Sequence, residues 1–292
     1  MNRRKLGSTS LSVNEIGYGA MHLSIDRERR PPEKESIELL QRAIDELNLD
    51  FIDTADAYCI DDTEVGHNER LIAAALKDGR REKVLVATKG GSTRPEGRWE
   101  RNGRPDYLRT ACERSLKGLE VDHIDLYQLH APDPAVPVVD SVGALAEMQR
   151  EGKIRHIGVS NFTLDQLKEV RDEARIVSLQ NRYSVMDRRD QDAIIDYCEA
   201  EQITYLPWNP VGGRGNAPKI GEMYGVLDQI AKAHESSPHA VALAWLLQRS
   251  PAIIPIPGTT KFPHLKENMG ATGVALSAEE VERLDGLDGP GE

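Results

Sequence analysis

Eight short apolar runs recur along the chain: EIGYG (15–19), FIDTA (51–55), VLVATK (84–89), HIDLYQLH (123–130), HIGVS (156–160), IVSLQN (176–181), ITYLPW (203–208) and AIIPIPG (252–258). Their length and β-branched content predict strands. Between them, apolar residues return at three- and four-residue spacing: Ile37, Leu40, Ile44 and Leu47; Val138, Val142 and Leu145; Leu164, Leu167 and Val170; Met223, Val226, Leu227 and Ile230. That spacing predicts helices with one buried face. Strand alternating with helix over 292 residues points to an α/β protein, a (β/α)8 TIM-type barrel in which residues 1–292 form a single domain. RRKLGSTSLSVN (3–14) reads as an N-terminal β-hairpin around a Gly-Ser turn, and Ala278 to Leu287 as an extra C-terminal helix. A doubly wound dinucleotide fold needs G-x-G-x-x-G between its first strand and helix. Here Gly17-Tyr18-Gly19 is followed by His22 where the third glycine belongs, and the helix begins only near Glu33.

Composition narrows the function classes. A chain of this length buries roughly three quarters of its unfolded surface, so core supply is ample. The 37 basic and 48 acidic residues give a net charge of −11, which repels nucleic acid and anionic lipid. Cys59, Cys112 and Cys198 are odd in number and lack C-x-x-C spacing, so no disulfide framework or metal site is expected. A reducing cytoplasm fits best. MNRRKLGSTSLSV has no apolar signal core, and no apolar run reaches the roughly 18 residues of a membrane span; a soluble, unprocessed protein is expected, with a monomer as the default.

Three of the predicted strands end in titratable groups. FIDTADAY carries Asp53 and, five residues on, Tyr58; VLVATK closes on Lys89; HIDLYQLH closes on His130. Singly these have ordinary readings, as a turn cap, a solvated lysine or a strand-end histidine. Jointly, neighbouring parallel strands would bring them to one rim. A Lys ammonium beside a phenol favours its phenolate, so Lys89 is expected to lower the Tyr58 pKa toward neutrality. With its D-x4-Y spacing and its order, the set resembles the catalytic tetrad of the aldo-keto reductases. The resemblance runs from the hairpin to the last helix. It implies an NADPH-dependent reductase of aldehydes or ketones, with NADH possible: Tyr58 would deliver the proton, Asp53 would orient Lys89, and His130 would hold the carbonyl oxygen.

The remaining motifs extend this resemblance. GVSNF places Ser160 and Asn161, and SLQNRYS places Gln180, at strand ends; in the family, matching side chains grip the nicotinamide carboxamide. Ser160 or Asn161 could equally cap the helix starting near Thr163. PWNPVGG is similar to the stretch in which an aromatic ring, here Trp208, stacks on the nicotinamide, and Asn209, Val211 and Gly212 would meet the pyrophosphate. IPGTTKFPHLKEN (256–268) ends a strand and starts a helix, an arrangement that attracts anions. By resemblance, Gly258, Thr259, Thr260, Lys261 and His264 would bind the 2′-phosphate end, with Glu267 and Asn268 facing the adenosine. Gly258 and His264 stand where many relatives carry Lys or Arg. Ala20, Met21 and Asp53 would also line the cofactor, while Met21, Tyr58, Trp99 and His130 would wall the substrate. The Gly/Pro-rich segments 92–105 and 209–222 are expected to cover the mouth, and the short tail LDGPGE suggests an open pocket. Two other readings remain at this point: a Schiff-base lyase built on Lys89, and a cofactor-binding regulatory or structural subunit of the same fold.

Overall fold

The computed structural model describes residues 2–188, 191–213 and 219–287. Positions 214–218 of the Gly/Pro-rich segment and the tail 288–292 lie outside them. The hairpin is β1 (Arg3–Lys5) and β2 (Ser12–Asn14), paired antiparallel. Seven parallel strands follow: β3 (Tyr18–Gly19), β4 (Phe51–Asp53), β5 (Leu85–Gly90), β8 (Ile124–Leu129), β9 (Ile154–Ser160), β10 (Ile176–Gln180) and β11 (Thr204–Tyr205). They lie side by side in chain order, each pair parallel. The loop after β5 folds into a second antiparallel hairpin, β6 (Ser92–Thr93) and β7 (Glu100–Arg101).

The eighth predicted strand makes a single parallel bridge, Ile253 to Tyr205, in place of a full ladder. Its prolines explain why. Pro255 and Pro257 have no N–H, so they act only as acceptors: their carbonyls take hydrogen bonds from Gly17 N at 3.0 Å and Gly19 N at 3.3 Å. On the other side Ile254 N donates to Tyr205 O at 2.9 Å. Segment 252–258 therefore spans from β11 to β3 and closes the ring. Gly19 and Gly258 meet closely at this join, where a Cβ on either would come within 2.7 Å of a facing carbonyl. A side chain at 258, of the kind many relatives carry, has no room here.

Two cores hold the barrel. The larger lies between strands and helices, where the amphipathic spacing of segments such as Glu33–Leu47 and Val138–Arg150 buries Leu40, Ile44, Val142 and Leu145. The smaller fills the lower interior with Phe51, Ala87, Leu126, Val177, Leu206 and Ile254. Leu6 and Val13 from the N-terminal hairpin join it, so that hairpin is a plug. It is tied on by Arg4, whose guanidinium donates to the carbonyls of Ser250 and Ile253, both at 2.6 Å. The predicted helix around 223–230 is broken: Ile220–Met223 stops at Tyr224, and Gly225–Ala233 begins anew. Met223 is exposed as a result. No helix among the described residues is long and apolar enough to cross a membrane.

Candidate active site

Strand alternation turns the apolar plug into a polar layer one step higher. On β4 Phe51 and Asp53 share the inward face; on β5 Ala87 and Lys89 do; on β8 Leu126 and Gln128 do. Asp53 is thereby surrounded by donors. Its Oδ2 accepts from Lys89 Nζ at 2.6 Å, and its Oδ1 from Gln180 Nε2 at 2.7 Å and Gln128 Nε2 at 3.3 Å. Ser178 Oγ donates to Gln128 Oε1 at 3.2 Å, completing the layer. Gly158 makes room for it, since a Cβ there would lie 2.2 Å from Ser178 Oγ.

Lys89 has no solvent exposure, and its three donor directions are filled: Asp53, the Thr54 carbonyl at 2.9 Å and Tyr58 Oη at 2.9 Å. Burial alone would lower its pKa, but Asp53 and Tyr58 outweigh it and the net shift is upward. The ammonium is therefore fixed in its charged form. Tyr58 differs from expectation. Burial raises its pKa, Lys89 lowers it and Asp53 raises it, with a net upward shift. The expected lowering does occur as one contribution, but loss of water around the buried phenol is larger, so the hydroxyl keeps its proton.

His130 follows β8 and sits edge-on to Tyr58, ring centroids 5.7 Å apart, and edge-on to Trp99 at the same distance. Burial and then the Lys89 charge push its pKa well below the ordinary value, so the ring is neutral. Its Nδ1 is buried and has no hydrogen-bond partner among the described residues.

The layer is also gripped from behind. At the start of helix His67–Ala75, Asn68 Oδ1 accepts from Thr54 Oγ1 and Glu69 Oε1 from Thr88 Oγ1, both at 2.6 Å. These threonines neighbour Asp53 and Lys89. Gln128, Ser178, Asn68 and Glu69 were missed from sequence. Gln128 had a signal, as the one polar residue facing inward between Leu126 and His130; Glu69 had none.

Above the layer opens a cavity of about 780 Å³. Met21, Tyr58, Trp99 and His130 all line it. So do Asp53, Ser160, Asn161, Gln180, Trp208, Asn209 and Val211, together with Gly258, Thr259, Thr260 and Lys261. Ser160 and Asn161 are not the helix cap: Thr163 caps Leu164–Glu169 in a reciprocal pair with Gln166. Ser160 Oγ instead donates to Gln180 O at 2.8 Å, and Asn161 Nδ2 to His130 O at 2.9 Å. Trp208 Nε1 donates to Asn161 Oδ1 at 3.2 Å. The Gln180 amide nitrogen already serves Asp53. Five expected cofactor residues do not line the cavity. Ala20 is fully buried, with its carbonyl accepting from Asn68; Gly212 yields its place to Gly213; His264, Glu267 and Asn268 lie along the helix Phe262–Gly270 beyond the rim. Among the described residues, no group of three or more His, Cys, Asp or Glu side chains is arranged to hold a metal ion.

The family model of the aldo/keto reductase family matches residues 15–288. The chain is 39% identical to an uncharacterized oxidoreductase of Schizosaccharomyces pombe, over 94% of this chain and 86% of that protein. It is 36% identical to pyridoxine 4-dehydrogenase of Escherichia coli, over 94% of this chain and 95% of the other. Among solved structures, the thermostable aldo-keto reductase Tm1743, crystallised with the inhibitor epalrestat, is 32% identical with a TM-score of 0.82, covering 98% of this chain and 99% of that one. An aldo-keto reductase from Bacillus halodurans in its holo form is 29% identical with a TM-score of 0.80, covering 97% and 95%.

Proposed function

Because the chain belongs to the aldo/keto reductase family, we propose that it reduces an aldehyde or ketone to an alcohol, with NADPH as hydride donor and Tyr58 as proton donor. The observation that carries this reading is the buried chain Asp53–Lys89–Tyr58, with contacts of 2.6 and 2.9 Å. The donor set above it fits a nicotinamide cofactor. The amide oxygens of Asn161 and Gln180 offer acceptors to a carboxamide, Trp208 offers a ring face, and Thr259, Thr260 and Lys261 offer hydroxyls and a charge to phosphate at the start of the helix Phe262–Gly270. When bound, NADPH supplies the hydride that reaches the carbonyl carbon.

The chain's own residues act on the oxygen. Tyr58 Oη gives its proton to the carbonyl oxygen as negative charge develops there. The phenolate left behind is stabilised by the Lys89 ammonium at 2.9 Å, whose own charge Asp53 sustains. Neutral His130, with one N–H to donate, hydrogen-bonds the same oxygen and sets its angle without competing as an acid. The Schiff-base alternative fits less well, because a nucleophilic amine must be unprotonated and Lys89 is held in its charged form.

The test is NADPH oxidation followed by absorbance with a panel of aldehydes and ketones. Tyr58→Phe should reduce turnover by about 10²- to 10⁴-fold while NADPH still binds. Retention of more than about a tenth of wild-type turnover in that variant, where chemistry limits the rate, would remove Tyr58 as the acid.

A further inference from the structure

The order of strands around the ring divides the mouth. The residues proposed for the cofactor hang from β9, β10, β11 and segment 252–258, which are contiguous. The hairpin β6–β7 follows β5, and Ala131 and Pro132 follow β8. In a ring of eight, the third and fourth strands lie across from the seventh and eighth. Side chains on that hairpin therefore face the cofactor residues of β11 and segment 252–258 from the far side of the mouth.

Trp99 and Arg101 are among those that line the same cavity as Tyr58 and His130. Trp99 is 48% exposed yet fixed in place: its ring meets His130 edge-on, and the buried Arg94 guanidinium lies 4.4 Å from its centroid. Arg101 is held in the hairpin by pairing with Ser92. Its Nη1 donates to the Pro132 carbonyl at 3.2 Å, and no carboxylate pairs with it among the described residues. The neighbouring Glu100 also lines the cavity, but its carboxylate lies 3.6 Å from Arg98. Arg101 is thus a cation at the mouth with no carboxylate partner of its own among the described residues, in a molecule whose net charge is −11.

We propose that Arg101, beside the Trp99 face, is an anion subsite for the carbonyl substrate, which would be an aldehyde or ketone bearing a carboxylate or phosphate a few bonds from its carbonyl. This rests on the carbonyl-reduction reading above. Pro132 lies two residues past His130, at most about 7 Å along the chain. Arg101 and His130 therefore line one cavity close enough for a small molecule to meet both, and Trp99, edge-on to His130, offers a flat surface beside them. A guanidinium anchored through one nitrogen still presents a fork matching either anion. Arg29 lines the cavity too, but it follows β3, next to segment 252–258 on the cofactor side, and is not assigned to this subsite.

The experiment compares kcat/KM for 4-formylbenzoate, 4-formylphenyl phosphate and methyl 4-formylbenzoate in the wild type, Arg101→Met and Arg101→Lys. At least one anionic aldehyde should exceed the ester by about tenfold in the wild type, as expected for a charged hydrogen bond. In Arg101→Met that ratio should collapse toward one, mainly through KM, and Arg101→Lys should restore part of it. The NADPH dissociation constant should stay within about twofold of wild type, far below the tenfold that 1.4 kcal/mol represents. A wild-type ratio near one, or a ratio that Arg101→Met leaves intact, overturns the subsite. Weakened NADPH binding with an intact ratio reassigns Arg101 to the cofactor. If no carbonyl compound is turned over, the reductase reading fails, and calorimetry of 4-(hydroxymethyl)benzoate with the NADP⁺-loaded protein judges the subsite separately: binding that does not depend on Arg101 overturns it.

Discussion

At the scale of single residues, the site separates two groups that could each supply a proton. Tyr58 is shifted upward from its ordinary value of 10.0 and His130 well downward from 6.5. Burial is the leading cause of both, because it disfavours whichever form is charged: phenolate for one, imidazolium for the other. The consequence is a broad plateau. Between these limits the phenol keeps its proton and the imidazole stays neutral, so kcat/KM for carbonyl reduction should be flat from below pH 6.5 up to about 10 and fall only in stronger alkali, where Tyr58 ionises. A pH profile of kcat/KM checks this. A break near 6.5 that disappears in His130→Gln would show that His130 titrates in the working range and that the burial argument is wrong for it.

At the scale of elements, the catalytic layer depends on helix His67–Ala75 as much as on the strands. Behind it lies a buried acidic pair, Asp56 and Glu69. Glu69 accepts from Thr88, and Asp56, two residues before Tyr58, is fully buried with its carboxylate 3.5 Å from Arg114. Burial first, then Glu69, raises the Asp56 pKa well above 3.8, against the opposing pull of Arg114. A folded-state pKa above the unfolded one means that the stabilising contribution is complete below about 3.8 and is lost as pH rises through the folded value. Asp56→Asn lacks that loss. It should therefore melt a few degrees above wild type at pH 8, with the gap closing toward pH 4; a gap that ignores pH, or reverses, would sink the idea. Such coupling was not legible in the sequence, and the reason is instructive. Asp53, Lys89 and His130 were readable because each ends an apolar alternation on its inward face. Glu69 and Asp56 lie on a helix and a loop with no period to break, and only the fold brings them together. The hairpin carrying Trp99 and Arg101 was read as a plain loop, because its strands are two polar residues each. Segment 252–258 was legible as extended, but its prolines replace a ladder with single acceptor contacts.

At the scale of the whole molecule, a net charge of −11 means that a polyanionic cofactor approaches against a repulsive field and must be captured by a few local positive groups. On the cofactor side of the mouth, Lys261 stands at the entry to helix Phe262–Gly270, with its backbone N–H donating to Thr259 Oγ1 at 3.2 Å. The helix N-terminus adds its own positive end. If this group reads the 2′-phosphate, Lys261→Ala should weaken NADPH by about tenfold, the effect of roughly 1.4 kcal/mol, and leave NADH within about twofold. The contact is exposed, so added salt should shrink the NADPH penalty as screening increases. Titration of both cofactors into wild type and variant, at low and high ionic strength, decides the point. Equal losses for NADPH and NADH would mean that Lys261 meets the pyrophosphate common to both. No loss for either would move the 2′-phosphate to another group, and Arg29, which lines the cavity from the neighbouring loop, would be the next residue to substitute.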